Sequence, residues 1–244
     1  MIKPNPHVLV TRPEPKGRAL VSLLQQQGIK ARFEPLFTYQ PTPLTTSLPQ
    51  ADIAIFVSQA AVELANAQVP ISRWQVTLFI AVGKATQETL KQLGVSAVTP
   101  LQQNSEGVLA LDELAHVDTK DIIIVRGENG RELMFDELTK RGAQVKYLQS
   151  YLRLWRTFKP QIAQQWHDEG INFIICSSVA ILEKMAKLLV TTDNYWQRSC
   201  TWVVASSRIY AKAKQLELTH IILAKGASNQ DLLEACQNGS NYDR

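Results

Sequence analysis

Short runs of consecutive apolar residues recur along the chain, and each run is followed by a polar turn and then by leucines at helical spacing. Residues 52–57 and 121–125 are two such runs, rich in isoleucine and valine. Uninterrupted apolar runs of this length are typical of parallel strands that are buried on both faces of a sheet. Strands that alternate with helices in this way predict an α/β fold with right-handed crossovers.

The same pattern predicts elements throughout the chain. Strands are predicted at residues 7–10, 30–36, 52–57, 76–82, 95–98, 121–125, 172–176, 201–205 and 220–224. Helices are predicted at residues 17–24, 60–67, 86–93, 106–114, 131–140, 161–169 and 180–189, after Arg208, and after a capping box formed by Ser228 and Asp231. The tail from Gln237 onward is polar, and we expect it to fray.

Two stretches with a different pattern interrupt this order. Residues 147–155 alternate bulky and polar side chains, as an extended strand does. Residues 33–40 are also extended in character and rich in aromatic side chains. We interpret the two stretches as crossings between two lobes, at residues 35–42 and 147–156. A cleft between such lobes would be lined by the crossings, and Tyr151 is expected to lie in it.

The predicted units recur in the same order in both halves of the chain, at a spacing of about 120 residues. The matching segments are 10–12 with 125–126, 17–18 with 130–131, 55–58 with 174–177, and 79–83 with 202–206. Such a repeat predicts two similar lobes, each a parallel sheet with flanking helices. The alternative is that unrelated stretches share a general α/β pattern.

Composition is consistent with an ordinary globular protein. The chain has 244 residues, of which 45% are hydrophobic and 20% charged. Its length allows one large domain or two of roughly 110–130 residues. The net charge is +4 and no run of Lys and Arg is interleaved with aromatic residues. A nucleic-acid partner is therefore only weakly supported, and a small acidic ligand fits the charge as well.

Several kinds of site and location are excluded by the residues present. The three cysteines, Cys176, Cys200 and Cys236, and the four histidines are scattered, and no acidic residues cluster, so we expect no metal site and no disulfide framework. The dinucleotide fingerprint, the P-loop and the Gly-x-Ser-x-Gly elbow are absent. Neither a signal region nor a membrane-spanning run is apparent, so we expect a cytoplasmic protein that does not bind a membrane.

Candidate chemistry lies at the predicted strand ends, because ligands of parallel α/β sheets bind beyond the carboxyl ends of the strands. These ends repeat one set of groups: a hydroxyl, free N–H groups at a helix start, and a cation, which together bind anions. The residues are Thr11, Arg12, Ser58, Gln59, Gly83, Lys84, Arg126, Gly127, Ser177, Ser178, Ser207 and Arg208. Alternatively, the serines and threonines are ordinary N-caps. Likewise, Tyr151 is either a proton donor or an aromatic that fills the joint between the lobes.

The chain resembles the uroporphyrinogen-III synthases over essentially its whole length. The resemblance rests on the order and spacing of short motifs: Val-Leu-Val-Thr-Arg-Pro (8–13), Pro35, Phe-Val-Ser (56–58), Ala-Val-Gly-Lys-Ala-Thr (81–86), Ile-Val-Arg-Gly-Glu-Asn-Gly-Arg (124–131), Ser-Tyr (150–151) and Ser-Asn-Gln-Asp-Leu-Leu (228–233). It implies two α/β lobes joined by a two-stranded ladder. One lobe would comprise residues 1–36 and 154–244, and the other residues 40–148.

The resemblance also implies an activity, that of a cyclising hydro-lyase without cofactor or metal. It converts the linear tetrapyrrole hydroxymethylbilane to uroporphyrinogen III, with loss of water and inversion of ring D through a spiro intermediate. By match, Tyr151 assists loss of the hydroxyl. Thr11, Arg12, Ser58, Gly83, Thr86, Arg126 and Ser177 fall on cleft-lining positions. The chain departs from the family at residues 206–209, where a Gly-Pro-Thr-Thr type turn is usual.

The partner implied is the polycarboxylate substrate, with a hand-off from the preceding enzyme of the pathway, and the charged helices favour a monomer. Two other functions remain open at this point. One is a non-catalytic bilobal binding protein for an anionic small metabolite. The other is a phosphate-handling transferase, which the missing phosphate loop disfavours.

Overall fold

The computed structural model describes residues 5–44, 49–128, 130–189 and 194–239. Its strands are β1 (His7–Val10), β2 (Lys30–Phe33), β3 (Phe37–Pro41), β4 (Gln50–Phe56), β5 (Gln75–Ala81), β6 (Asp121–Gly127), β7 (Gln144–Trp155), β8 (Phe173–Cys176), β9 (Thr201–Val204) and β10 (His220–Leu223). Its helices are α1 (Lys16–Gln26), α2 (Gln59–Asn66), α3 (Lys84–Gln92), α4 (Ser105–Leu109), α5 (Leu133–Lys140), α6 (Ile162–Asp168), α7 (Val179–Leu189), α8 (Tyr195–Arg198), α9 (Ser207–Gln215) and α10 (Asn229–Gly239).

The chain divides into two units. The first comprises Met1–Thr38 and Leu154–Arg244, and the second comprises Tyr39–Arg153. The chain passes from one unit to the other along β3 and β7, which hydrogen-bond to each other. Their backbone bonds join Arg156 to Leu36 and Thr42 to Ser150, so the two strands run antiparallel. This pair is the two-stranded ladder that the resemblance implied.

The first unit contains a five-stranded parallel sheet in the order β2-β1-β8-β9-β10. Leu9, Ile174 and Trp202 lie on three neighbouring strands and have no solvent exposure. Helices cover both faces of such a sheet, which is why its central strands are apolar at consecutive positions instead of at every second one.

The second unit has the corresponding arrangement, in the order β3-β7-β6-β4-β5. Strands β7, β6, β4 and β5 are parallel, and β3 adds the antiparallel edge. Comparison of the two sheets shows the predicted repeat: β1 matches β6, β2 matches β7, β8 matches β4, and β9 matches β5. The α/β fold with two similar lobes is therefore confirmed.

Three predicted elements differ in the structure. The helix predicted at 106–114 is the short α4 followed by a 3₁₀ turn at Asp112–Leu114, because Leu111 between them is extended. The strand predicted at 95–98 is reduced to one bridge between Val98 and Ile80, at the place that β10 takes in the first unit. Strand β2 ends at Phe33, before Pro35, which has no N–H to donate.

The end of the chain also differs from the prediction. Helix α10 continues through Gln237 to Gly239, where we had expected a frayed tail. Residues 240–244 lie outside the described part of the chain. The predicted capping box at the start of α10 is present: Ser228 Oγ accepts a hydrogen bond from Asp231 N at 3.1 Å, and Asp231 Oδ2 accepts one from Ser228 N at 3.3 Å.

Replacing Ser228 with alanine should lower the free energy of unfolding by about 1 kcal/mol, because the N–H of Asp231 loses its acceptor. That loss corresponds to a decrease in Tm of about 2–4 °C for a chain of this size, measurable by circular dichroism. Ser22→Ala is the matched control, since Ser22 is exposed inside α1 and its hydroxyl bonds only to the carbonyl of Arg18. Equal Tm values for the two variants would show that the capping box does not stabilise α10.

Candidate functional site

The predicted strand-end residues of the first unit lie at one edge of its sheet. Register places Val10 opposite Ile175, and Cys176 opposite Val204, so β1, β8 and β9 end together. Thr11 follows β1 and has no solvent exposure. Its hydroxyl donates a hydrogen bond of 2.5 Å to the carbonyl of Ile175. The proton of Thr11 therefore ties two strands together and is not available to a ligand in this structure.

Arg12 is also largely enclosed, with 7% of its surface exposed. Its Nη1 donates to the side-chain oxygen of Asn229 at 2.7 Å and to the carbonyl of Ala227 at 3.2 Å. Arg12 thus connects the first strand of the unit to the start of its last helix, about two hundred residues away in the chain. A buried cation placed this way adds positive potential to the edge where the helices begin.

Serine side chains cap the helices that start at these edges. Ser58 accepts a hydrogen bond from Ala61 N at 3.2 Å, Ser178 from Ile181 N at 3.2 Å, and Ser206 from Ile209 N at 3.4 Å. The alternative that the serines are N-caps is therefore confirmed for Ser58 and Ser178. Each cap satisfies one N–H and leaves those of the first helical residues directed outward.

The neighbours of these caps differ in exposure. Ser177 and Gln59 are partly buried, and Gln59 donates to the hydroxyl of Thr89 at 3.1 Å. Ser207 and Arg208, in the first turn of α9, are exposed. Arg208 therefore combines a solvent-accessible guanidinium with a helix N-terminus, the combination predicted to bind a carboxylate.

The start of α3 is already occupied by a side chain that the sequence did not single out. The amide oxygen of Gln103 accepts a hydrogen bond from Lys84 N at 3.0 Å. A Cβ at Gly83 would lie 2.9 Å from that oxygen, so glycine makes room for it. Lys84 has an exposed side chain, whereas Thr86 is 5% exposed and faces the core. Lys84 is thus the accessible cation at this strand end.

Arg126, at the end of β6 in the second unit, lies in a cluster with two residues that the sequence did not single out either. It is 5% exposed, and its Nη1 lies 3.2 Å from a carboxylate oxygen of Glu132. The guanidinium carbon stands 4.6 Å from the ring centre of Tyr147. The Tyr147 hydroxyl donates to the other oxygen of Glu132. No local sequence signal marks this cluster, because its members come from a strand end, a helix start and a neighbouring strand.

The pKa values in this cluster are shifted by its own contacts. Burial, followed by the hydrogen bond to the Glu132 carboxylate, raises the pKa of Tyr147 to about 12. The hydrogen bond from Tyr147 and the charge of Arg126 hold the pKa of Glu132 below its usual value. Glu132 is therefore ionised and Tyr147 protonated at neutral pH.

Tyr151 lies beside this cluster on β7, where the pairing of β6 and β7 changes register. Arg126 pairs with Gln149 and Gly127 pairs with Tyr151, so Ser150 is an extra residue. The bulge turns the Tyr151 ring into the core of the second unit, where it is 2% exposed. Tyr39 meets the ring edge-on at 4.9 Å. The proposed catalytic ring is thus fixed by packing.

The described residues offer little other candidate chemistry. None of them form a group of three or more His, Cys, Asp and Glu side chains that could hold a metal ion. Burial raises the pKa of Cys176 and of Cys200, which disfavours the reactive thiolate form. No helix in the described ranges combines the length and the apolar character needed to cross a membrane.

Comparison with known proteins gives a consistent result. The family model described as uroporphyrinogen-III synthase HemD matches residues 18–234. A uroporphyrinogen-III synthase from Salmonella typhimurium strain LT2 is 32% identical, over 94% of this chain and 99% of the relative. One from Escherichia coli K12 is 30% identical, with the same coverage of both chains.

Solved structures of low sequence identity share the fold. A mutant uroporphyrinogen III synthase from the extreme thermophile Thermus thermophilus superposes with a TM-score of 0.64 at 10% identity, covering 98% of this chain and 100% of that one. A uroporphyrinogen-III synthetase from Helicobacter pylori 26695 gives a TM-score of 0.60 at 13% identity, covering 99% and 100%.

Gly127 is required for the placement of Tyr151. A Cβ at Gly127 would lie 2.4 Å from Tyr151 Cε2 and 2.5 Å from Cζ. Gly127→Ala should therefore displace the ring and lower the free energy of unfolding by about 1–3 kcal/mol. A double-mutant cycle with Tyr151→Ala, followed by urea denaturation, checks the cause. If Gly127→Ala lowers the free energy of unfolding by the same amount in the Tyr151→Ala background as in wild type, the contact with the ring does not cause the loss of stability.

Proposed function

The chain belongs to the uroporphyrinogen-III synthase family, and we propose that its strand-end residues bind the carboxylates of the substrate while Tyr151 assists loss of its hydroxyl. The family match over residues 18–234 is the observation that carries the activity. Uroporphyrinogen-III synthase activity, a hydro-lyase activity of tetrapyrrole biosynthesis, is the activity of this chain. Hydroxymethylbilane, a linear tetrapyrrole with many carboxylates, is its substrate.

The reaction places two demands on the protein. The C–O bond of the terminal hydroxymethyl group must break, with its electron pair leaving on oxygen. The flexible product of that step must then be held so that ring D is inverted before the macrocycle closes. Holding a flexible chain in one reactive geometry lowers the entropic part of the barrier, so positioned carboxylate-binding groups are the main requirement.

In this proposal the helix starts supply most of the carboxylate contacts. Ser58, Ser177 and Ser178 lie at the first turns of α2 and α7, whose outward N–H groups suit carboxylate oxygens. Main-chain donors do not rearrange when a charge arrives, so they discriminate by position. A net charge of only +4 is compatible with binding a substrate that carries many carboxylates, because the positive potential is local to the helix ends.

Charged side chains add to these contacts. Lys84 and Arg208 are exposed at the starts of α3 and α9 and can reach a carboxylate without rearrangement of the fold. Ser207 at the start of α9 and Gln59 at the start of α2 are further polar groups of the strand ends. Arg12, Thr11 and Thr86 are enclosed, and we propose that they hold the edge in shape while the exposed groups meet the substrate.

We propose that Tyr151 donates a proton to the departing hydroxyl, which leaves as water. The proton released when the closed macrocycle regains its aromatic pyrrole would restore the phenol, so the protein is unchanged at the end. Support comes from the position of Tyr151 opposite Gly127, the last residue of β6, where a register change fixes its ring. Ring packing against Tyr39 limits the orientations that the hydroxyl can take.

Three further properties stay predictions. These are a cytoplasmic location, a monomeric state, and a hand-off of substrate from the preceding enzyme of the pathway. A hand-off would suit a substrate that cyclises spontaneously to the wrong isomer when it is free in solution.

Purified protein supplied with hydroxymethylbilane should yield uroporphyrinogen III. The measurement is separation of the type I and type III isomers after oxidation to the porphyrins. A reaction without protein is the control, because spontaneous closure without inversion gives type I. Exclusive type I product would contradict the activity, and binding without turnover would favour the non-catalytic alternative.

Tyr151→Phe should lower the turnover rate by at least about tenfold, because it removes the proton and keeps the ring that packs the core. The Tm should change little. Tyr195→Phe is the matched control: its hydroxyl donates to the carbonyl of Ile171 at 2.7 Å, so stability should fall while the rate stays the same. A rate for Tyr151→Phe within twofold of wild type would exclude the proton-donor role.

A further inference from the structure

Arg126 is a buried cation whose charge is balanced by a side chain that is mostly in water. The Arg126 side chain is 7% exposed, whereas that of Glu132 is 55% exposed. Removing the counter-charge of a buried cation is costly, so Arg126 needs an anion at all times. Here that anion is a carboxylate, the same chemical group that the substrate carries in many copies.

Glu132 does not serve the helix that it begins. It is the residue that precedes the first turn of α5, yet its side chain makes no capping hydrogen bond. Glutamate is not among the residues that ordinarily cap a helix at this position, and the backbone of Glu132 is helical instead of extended. The carboxylate is turned toward Arg126, so its observed contacts lie outside the helix.

Tyr147 holds Glu132 in this orientation. The tyrosine hydroxyl donates to the second carboxylate oxygen, and its ring stacks on Phe135 with centres 5.0 Å apart. The guanidinium of Arg126 lies over the same ring. Tyr147 is therefore a rigid support that presents a hydroxyl donor beside a cation, and the pair receives one carboxylate through both of its oxygens.

The hydrogen bonds of the Arg126 guanidinium to described residues come from Nε and Nη1. Arg126 Nε donates to the carbonyl of Gly127, and Nη1 donates toward Arg131 and Glu132. Among the described residues, none accepts a hydrogen bond from Nη2. Arg126 therefore has donor capacity beyond what Glu132 uses.

We propose that Glu132 is an internal substitute for a substrate carboxylate, that Tyr147 holds Glu132 in place, and that the substrate displaces Glu132 from Arg126 on binding. The inference rests on the proposed function, in which carboxylates bind at the strand ends. The exchange keeps the charge balanced, because one carboxylate leaves as another arrives. It also selects the ligand: a neutral group cannot replace Glu132, so only a correctly placed carboxylate gains this contact. Glu132 is thus a specificity-determining residue.

Glu132→Gln tests the inference, because it keeps the shape of the side chain and removes the competing charge. The KM for hydroxymethylbilane should fall by about threefold to tenfold, with kcat nearly unchanged, since the substrate no longer displaces a charged group. Glu137→Gln is the matched control. Glu137 lies on the same helix and pairs with Lys140, away from Arg126, so its KM should match wild type.

Tyr147→Phe gives an independent measurement that leaves both charges in place. Without the hydroxyl, Glu132 is held less firmly, so KM should lie between those of wild type and Glu132→Gln. In Glu132→Gln the pKa of Tyr147 should fall from about 12, because the carboxylate no longer opposes ionisation. Titration followed by ¹³C NMR of the tyrosine Cζ shows whether the contact has been removed.

An unchanged or raised KM in Glu132→Gln, with a Tm close to wild type, would overturn the inference and show that Glu132 only positions Arg126. If that variant fails to fold, an unchanged or raised KM in Tyr147→Phe decides against the inference in the same way. Failure of the proposed function looks different. In that case the wild-type protein itself makes only the type I isomer, before any variant is compared.

Discussion

Parallel strand pairing is the constraint on which the rest of the structure depends. A right-handed crossover returns the chain to the same end of the sheet, so strands end together and the following helices begin together. In each unit this places several helix N-termini at one edge, as at the ends of β1, β8 and β9. The gathering of helix N-termini at this edge is therefore a consequence of topology, and it is the basis of the anion binding that we propose.

Two buried arginines show that the polar groups at the strand ends need partners within the protein. Arg12 and Arg126 occupy matching places after β1 and β6, and both are largely enclosed. Each is held by an acceptor at a helix start: Asn229, far away in the chain, for Arg12, and Glu132, six residues away, for Arg126. Enclosing a guanidinium is costly unless its charge is paired, so these contacts help to stabilise the folded site. A carboxylate that binds at the edge meets a positive potential already in place.

In the proposed mechanism, Tyr151 combines two roles that the sequence left as alternatives. Its ring fills the core of the second unit against Tyr39 and the bare face of Gly127, which is the structural role. The same packing fixes the ring opposite the end of β6, and a fixed ring is what the proposed proton transfer requires. The register change at Gly127 produces both effects, because it decides which face of β7 the ring occupies.

Apolar runs, turn residues and their order determined the α/β class, the twofold repeat, most strand positions and the capping box at Ser228. These properties depend on residues that are close in the sequence or on patterns that repeat along it, so they can be predicted without knowing which elements pack together. Only the tertiary structure decided which strand-end groups are free. In the folded protein, the Thr11 hydroxyl donates to a neighbouring strand and Gln103 accepts a hydrogen bond at the start of α3. Glu132 and Tyr147 contact Arg126. Such contacts join residues from different elements. They form because buried polar groups need hydrogen-bond partners, and this requirement leaves no periodic pattern in the sequence.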